Sequence, residues 1–510
     1  MKKLFTYGIL AFSLTIVTSC EDDLAELNVN EIDPTAVNPA FLLNSAILGT
    51  SFPVSTLVYD IGIVQQIISP NSGVLTGANY NQDNRNSTQG LWQDYFRTVI
   101  RNTRDVIRRI DADEPDRNNL KQMARIIQAF AFMVLTDAYG DIPFSEAGMA
   151  FPDQILLPGY DDQQAIYAEL IQEIEEATIA LDQAGVVETS DILYEGNIDQ
   201  WKKLGYSLLL RAGMRLTKVD PGTAAQVAQR AFQGGVMNAN DDNMIIRHDA
   251  NYNNNYGRLL NATEANNFYL TEPFIDFLKN TNDPRLSAIA VTYVGAASGP
   301  EQIPGPDGNG SNDPATQVGM PMGHDNNSIV GVAADLGLTS FYEFAQADRT
   351  RVVKQDAPMF LITASQTQLL LAEAAERGWI TGSPADYYNA GVRAHMEQMS
   401  LYDAASTIPS ATIDTYLNNN PFSAGTALEQ INDQYWIASF LNGPEAFANF
   451  RRSGFPNLTP NPFPSQDISG DFIRRLTYPN SEISVNTENV NVAIARQGPD
   501  NLDTRIWWDQ

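Results

Sequence analysis

Cysteine is almost absent: the 510-residue chain holds one, Cys20, so no internal disulfide, cysteine-based zinc site or thiol nucleophile can exist in the folded body. Histidine is nearly as scarce. His248, His324 and His395 lie in separate segments, and no H-E-x-x-H, G-x-S-x-G, P-loop or dinucleotide fingerprint accompanies them. Positive charge is short as well, with 32 Lys plus Arg against 61 Asp plus Glu and a formal charge of −29. That balance cannot supply a broad phosphate-neutralising surface, which argues against nucleic acid as a partner. After the N-terminal segment, no stretch reaches the roughly 18 uninterrupted apolar residues of a membrane span. Disorder is excluded from the other side, because 23 Phe, 20 Tyr and 6 Trp supply ample material for a core.

The first 19 residues read as a bacterial secretory leader. Lys2 and Lys3 precede an apolar run from Leu4 to Val17, too short for a comfortable mature span and the right length for a signal h-region. The run ends in Val17-Thr18-Ser19-Cys20, the order of a lipobox, which predicts removal of 1–19 and diacylation of Cys20. Such chains anchor a water-soluble fold to a membrane. Glu21, Asp22 and Asp23 follow directly, and residues 20–39, with Pro34, Pro39 and no helical period, read as a flexible tether.

Residues 40–510 read as a single, mainly α domain. Segments 41–50, 91–110, 119–138, 163–184, 199–217 and 222–233 space apolar residues by three and four, as Ile126, Ile127, Phe130, Met133 and Val134 do. Asp116 to Asn119 are candidate N-caps. Trp201-Lys202-Lys203-Leu204-Gly205-Tyr206-Ser207-Leu208 partly fits the opening of a tetratricopeptide helix, and Leu370 to Gly378 with Ala385 to Ala390 suggest a second pair. Without a strict period, divergent helix pairs with long insertions are expected rather than a solenoid.

Three insertions are rich in Asn, Gly, Asp and aromatic residues: 70–90, 251–256 and 295–328. Amides and carboxylates hydrogen-bond vicinal hydroxyls, and an open ring covers the apolar face of a sugar, so such loops suit carbohydrate; turns are the ordinary alternative. The ligand candidates are Asn79, Tyr80, Asn81, Asp83, Asn84 and Arg85, with Tyr252, Tyr256 and Tyr342 as alternatives. Trp92, Trp201 and Trp379, on amphipathic helices, are expected in the core. Asp307, Asn309, Ser311 and Asp313 alternate like the first half of a calcium loop, but Asn312 and Val318 stand where the EF-hand Gly and Glu belong; no cofactor is expected beyond this weak calcium candidate.

Residues 124–147, containing Leu135-Thr136-Asp137-Ala138-Tyr139-Gly140-Asp141-Ile142-Pro143-Phe144-Ser145-Glu146-Ala147, resemble a characteristic block of the SusD/RagB family of nutrient-binding lipoproteins, in its SusD-like branch. Further blocks agree in order: Asp191 to Tyr194 with Trp201 to Lys203; Phe274 to Leu278 with Asp283-Pro284-Arg285; Ala372 to Trp379; and Asn442 to Ala446 with Phe450 to Pro456. Phe447 and Phe144 depart from the usual Trp and Tyr. The resemblance implies a SusD-like helical fold with a loop-rich ligand face. It implies a surface-exposed outer-membrane lipoprotein that acts as lid to a SusC-like TonB-dependent transporter in oligosaccharide uptake, Glu21-Asp22-Asp23 being similar to a surface-export signal. The blocks themselves read as scaffold: Gly140 as a helix cap, Arg451-Arg452 and Asp283/Arg285 as ion-pair formers. A surface-anchored glycan hydrolase, a peptide-binding member of the same family and a helical adaptor remain as alternatives.

Overall fold

The computed structural model describes residues 37–71, 77–150, 153–263 and 265–510. The leader, Cys20, Glu21, Asp22, Asp23 and most of the tether lie outside them.

The described chain is mainly α-helical, with seven short strands. The apolar periods become helices at Pro39–Gly49, Asn118–Tyr139, Gln163–Ile179, Ile198–Arg215 and Pro221–Gly234. The segment read as 91–110 starts earlier: Asn84 caps Arg85–Asp94 by accepting from the Ser87 N–H, and a π-helical turn, Tyr95–Ile100, leads into Arg101–Asp113. Helix Asn118–Tyr139 begins without a side-chain cap, because Arg117, which has no acceptor, stands at the N-cap; Asn118 and Asn119 in the first turn donate to the carbonyls of Ala180 and Asp182. It ends at Gly140, whose φ of +82° is one that residues with a side chain rarely adopt and where a Cβ would press on the Gln497 amide. The 20-residue stretch Pro39–Val58 is apolar enough on average to span a membrane, yet it breaks around Thr50–Pro53 and sends Leu43, Ile47, Phe52 and Leu57 into the core.

Successive helices pack as pairs, Ile198–Arg215 with Pro221–Gly234, and Ala364–Glu376 with Pro384–Tyr402. Buried polar networks hold the pairs together. Asp191 accepts from the N–H groups of Leu193, Tyr194 and Gly196 and from Trp201 Nε1 at 2.7 Å. Arg215 bridges Asp137 and Glu445, while Trp508 donates to Asp137 and Tyr435 to Glu445. Arg452 forms a two-pronged pair with Glu373 at 2.7 Å, and Arg285 pairs with Asp283, all four side chains being buried. The sequence blocks around these residues are therefore scaffold. Trp92 and Trp201 are buried as expected; Trp379 is half-buried under Arg377.

One apolar core runs through the helical body. Two smaller ones lie beneath the insertions, around Tyr269, Met320 and Phe344 and around Val291 and Tyr293. Short antiparallel pairings organise these loops. β1 (Ile67–Ile68) pairs with β3 (Tyr269–Leu270), and β2 (Met244–Ile246) with β7 (Met359–Ile362). β4 (Ala290–Tyr293) lies between β5 (Gly310–Ser311) and β6 (Gln346–Ala347).

Candidate functional site

The candidate ligand face lies beside the β1–β3 ribbon, where segments 69–71, 77–84, 318–345 and 459–467 are bonded together. Asn79 staples the first three: its amide donates to the carbonyls of Ser69 and His324 and accepts from the Gly323 N–H at 2.8 Å. The 459–467 segment joins through Asn81, which donates to Gln466 at 2.5 Å, and through Asp467, which accepts from the Asp83 N–H.

These bonds correct the sequence reading of this loop. Tyr80 is not an open ring: it is 3% exposed, donates its hydroxyl to the Pro70 carbonyl and stacks on Phe463. Burial pushes its phenol pKa up. Asn79 and Asn81 are buried too, and Asn84 is spent as a helix cap. Asp83 accepts from Thr477, and Arg85 pairs with Asp500 and donates to the Tyr478 carbonyl. A buried amide must find protein partners, so the polar groups that suit a sugar here stitch loops together.

The outlying tyrosines divide. Tyr256 is 1% exposed and bonded to Thr56, which excludes stacking on ligand. Tyr252 is half-buried, lies over His248 and lines a groove of about 510 Å³ with Phe41, Asn44, Asp94 and Asn255. Tyr342 is half-buried and stacked on Phe341 with ring centroids 4.2 Å apart. Phe341 in turn meets Tyr269 of β3 edge-on.

Two partly open aromatic platforms thus sit on loops fastened to one ribbon: Phe463, backed by Tyr80, and the Phe341–Tyr342 pair. The 324–327 segment, with His324, Asp325, Asn326 and Asn327 all partly or fully exposed, joins the same loop set through its bond to Asn79. Hydrogen bonds from the Ser328 N–H and hydroxyl hold the Asp325 carboxyl below the usual range, so it presents a charged acceptor. Rings flanked by amides and a carboxylate can bind a polyhydroxylated ligand without bond chemistry. Phe341 and Phe463 are absent from the sequence-derived candidates; the run Asn461-Pro462-Phe463-Pro464, an aromatic held between prolines, was the readable signal for the second.

The calcium-like residues do not form a cage. Asn309 donates to the Val294 carbonyl, the Ser311 hydroxyl accepts from Thr316, and Asp313 accepts from the Ala315 N–H. These are local turn bonds, and among the described residues no group of three or more His, Cys, Asp or Glu could hold a metal ion.

Residues 31–479 match the SusD-like family described as starch-binding and associating with the outer membrane. Among solved structures, a chitin-binding protein is 32% identical, covers 92% of this chain and all of its own, and superposes with a TM-score of 0.81. A SusD-like protein of Bacteroidetes is 26% identical over 93% of this chain and all of its own, with a TM-score of 0.80. A chitin-binding SusD homologue from Flavobacterium johnsoniae, 21% identical over 92% of this chain and 98% of its own, shares the fold with a TM-score of 0.73. No curated protein matches.

Proposed function

The chain belongs to the SusD-like family, and on that premise we propose that it is a glycan receptor of the outer membrane whose ligand is a chitin-type oligosaccharide. Membership makes it a binding protein and not an enzyme, which disposes of the hydrolase alternative. The observation that carries the ligand class is the 32% identity, over nearly the whole chain, to a chitin-binding protein. The face agrees with it chemically. A chain of N-acetylglucosamine offers flat apolar ring faces to Phe463 and to the Phe341–Tyr342 pair, and acetamide and hydroxyl groups to the 324–327 segment.

In the same reading, Cys20 carries lipid chains that hold the protein on the outer membrane, and the partner is a SusC-like TonB-dependent transporter to which the loop face delivers ligand. A lid of that kind buries more than about 1,000 Å² in total, so capture of the protein from native outer membrane brings a large β-barrel with it; recovery of the chain alone, beside intact control complexes, would remove the partner. The ligand is tested by calorimetry with chitooligosaccharides beside maltooligosaccharides and peptides. Affinity for the first alone supports the reading. Preference for either of the others replaces the ligand class, and release of reducing ends overturns the receptor itself.

A further inference from the structure

In a chain with nearly twice as many acidic as basic residues, Arg97, Arg101, Arg104, Arg108 and Arg109 fall within 13 positions, interrupted by a single acid, Asp105. The structure gathers four of them around one pocket of about 240 Å³, lined by Arg101, Asn102, Arg104, Asp105, Arg108, Arg109 and the turn at Gly148. Asp105 pairs with Arg108 and Arg109 at 2.7 and 2.9 Å. Among the described residues Arg101 and Arg104 have no carboxylate within ion-pairing distance. Arg101 is exposed and, among the described residues, hydrogen-bonds the neighbouring Asn102 side chain alone.

Arg104 is held in place by the fold. One Nη donates to the Phe144 carbonyl at 3.0 Å, its guanidinium lies 5.9 Å from the centre of the Phe132 ring, and its stem packs under Gly148, where a Cβ would sit 3.0 Å from Arg104 Cγ. Glu169 and Glu173, on helix Gln163–Ile179, act on Arg104 only at longer range, and Glu173 is itself claimed by Arg125. The pocket therefore carries an excess of forked cation donors, with Arg104 fixed in place, the arrangement that suits a tetrahedral oxyanion. Arg109 also donates to the carbonyl of Val37 at 3.3 Å, the first described residue on the side of the proposed lipid anchor.

We propose that this pocket is a phosphate-binding site that takes the phosphomonoester of a membrane lipid headgroup and so seats the Arg101–Asp113 face on the bilayer. It makes a local attraction where the rest of an acidic protein would be repelled by an anionic surface. The site does not depend on the glycan reading, because no residue of the ligand face lines it.

The test uses the chain from residue 20 onward with Cys20→Ala, so that no acyl chain contributes, and measures cosedimentation with phosphatidylcholine vesicles with and without phosphatidic acid. Binding only to the phosphatidic acid vesicles, weakened roughly fivefold for each arginine removed in Arg101→Gln/Arg108→Gln, supports the site. Both side chains are exposed, so folding is spared; Arg101→Gln/Arg104→Gln with a thermal melt extends the series. Competition by inorganic phosphate, with phosphatidic acid vesicles preferred at equal phosphate concentration, identifies the lipid as the source. The proposal is overturned if the control Arg247→Gln/Arg258→Gln weakens binding equally, if free phosphate binds as well as the vesicles, or if vesicle binding appears only after residues 21–36 are deleted, which would assign the arginines to the chain's own acidic segment.

Discussion

Tyr80 lies face to face on Phe463, with ring centroids 3.9 Å apart and planes within 9° of parallel. One ring is buried and the other is half-open, so the pair divides structure from recognition. Phe463→Ala is expected to weaken oligosaccharide binding by about 1–2 kcal/mol, or roughly tenfold, with little change in melting. Tyr80→Ala removes the backing ring and is expected to cost on the order of 3 kcal/mol of stability. Calorimetric titration and thermal melting of both variants decide the matter. A Phe463→Ala protein with undiminished affinity moves the ligand away from this platform, toward Phe341 and Tyr342.

The buried Glu373 carboxylate shows the second dependence. Burial alone would raise its pKa, but Arg452 and Arg377 overcome that and hold it at about 2. A carboxyl with a depressed folded pKa adds stability above its ordinary value near 4.5, and that contribution fades as pH falls toward 2. Glu373→Gln leaves Arg452 buried without its counter-charge and is expected to cost ~3–5 kcal/mol at neutral pH. Denaturant melts at pH 6 and pH 3 check it: the gap between wild type and variant narrows at the lower pH, and a constant gap would refute the ion-pair account.

Asp60 behaves in the opposite sense. It is 1% exposed, neither carboxylate oxygen is bonded to another described residue, and desolvation raises its pKa to about 7, against smaller opposing pulls from its own backbone N–H and from Arg451. The folded protein holds this proton more tightly than the unfolded chain, so its contribution is full below about pH 4 and is lost as pH rises toward 7, on the order of 4 kcal/mol in all. Asp60→Asn is expected to remove that part of the slope. Unfolding free energies of the two proteins across pH 4 to 8 would expose an unchanged slope as the failure of this assignment.

The anchor is tested by Cys20→Ala. Without the thiol no acyl chain can be attached, so the variant should leave the detergent phase while its melting stays that of wild type. Continued partitioning into detergent would end the lipoprotein reading.

How far the sequence was legible depended on the range of the contacts. Helix Asn118–Tyr139 could be read within a residue of its ends because its stripe repeats locally and Gly140 with Pro143 stops it. The segment read as 163–184 stops at Ile179, where Asn118 and Asn119 from an earlier helix take the Ala180 and Asp182 carbonyls. The scaffold reading of Arg451-Arg452 and Asp283/Arg285 carried through for Arg452 and Arg285, both closed by carboxylates. Arg451 instead gives its donors to the backbone carbonyls of Phe447, Arg474 and Asp137.

The ligand loop was misread for a physical reason. Asn79, Tyr80 and Asn81 have the composition of a sugar site, but their partners His324, Phe463 and Gln466 lie hundreds of positions away, and amide chemistry alone does not say whether the hydroxyl, carbonyl or amide it meets belongs to a ligand or to the chain. The sequence by itself determined the leader-like N-terminus, the helical scaffold, the absence of catalytic motifs and the family resemblance, because each rests on residue order or short-range periodicity. Only the tertiary structure decided which rings stay open, which arginines keep a partner and where four of them converge, because burial and charge pairing are set by contacts between segments that the order of residues does not bring together.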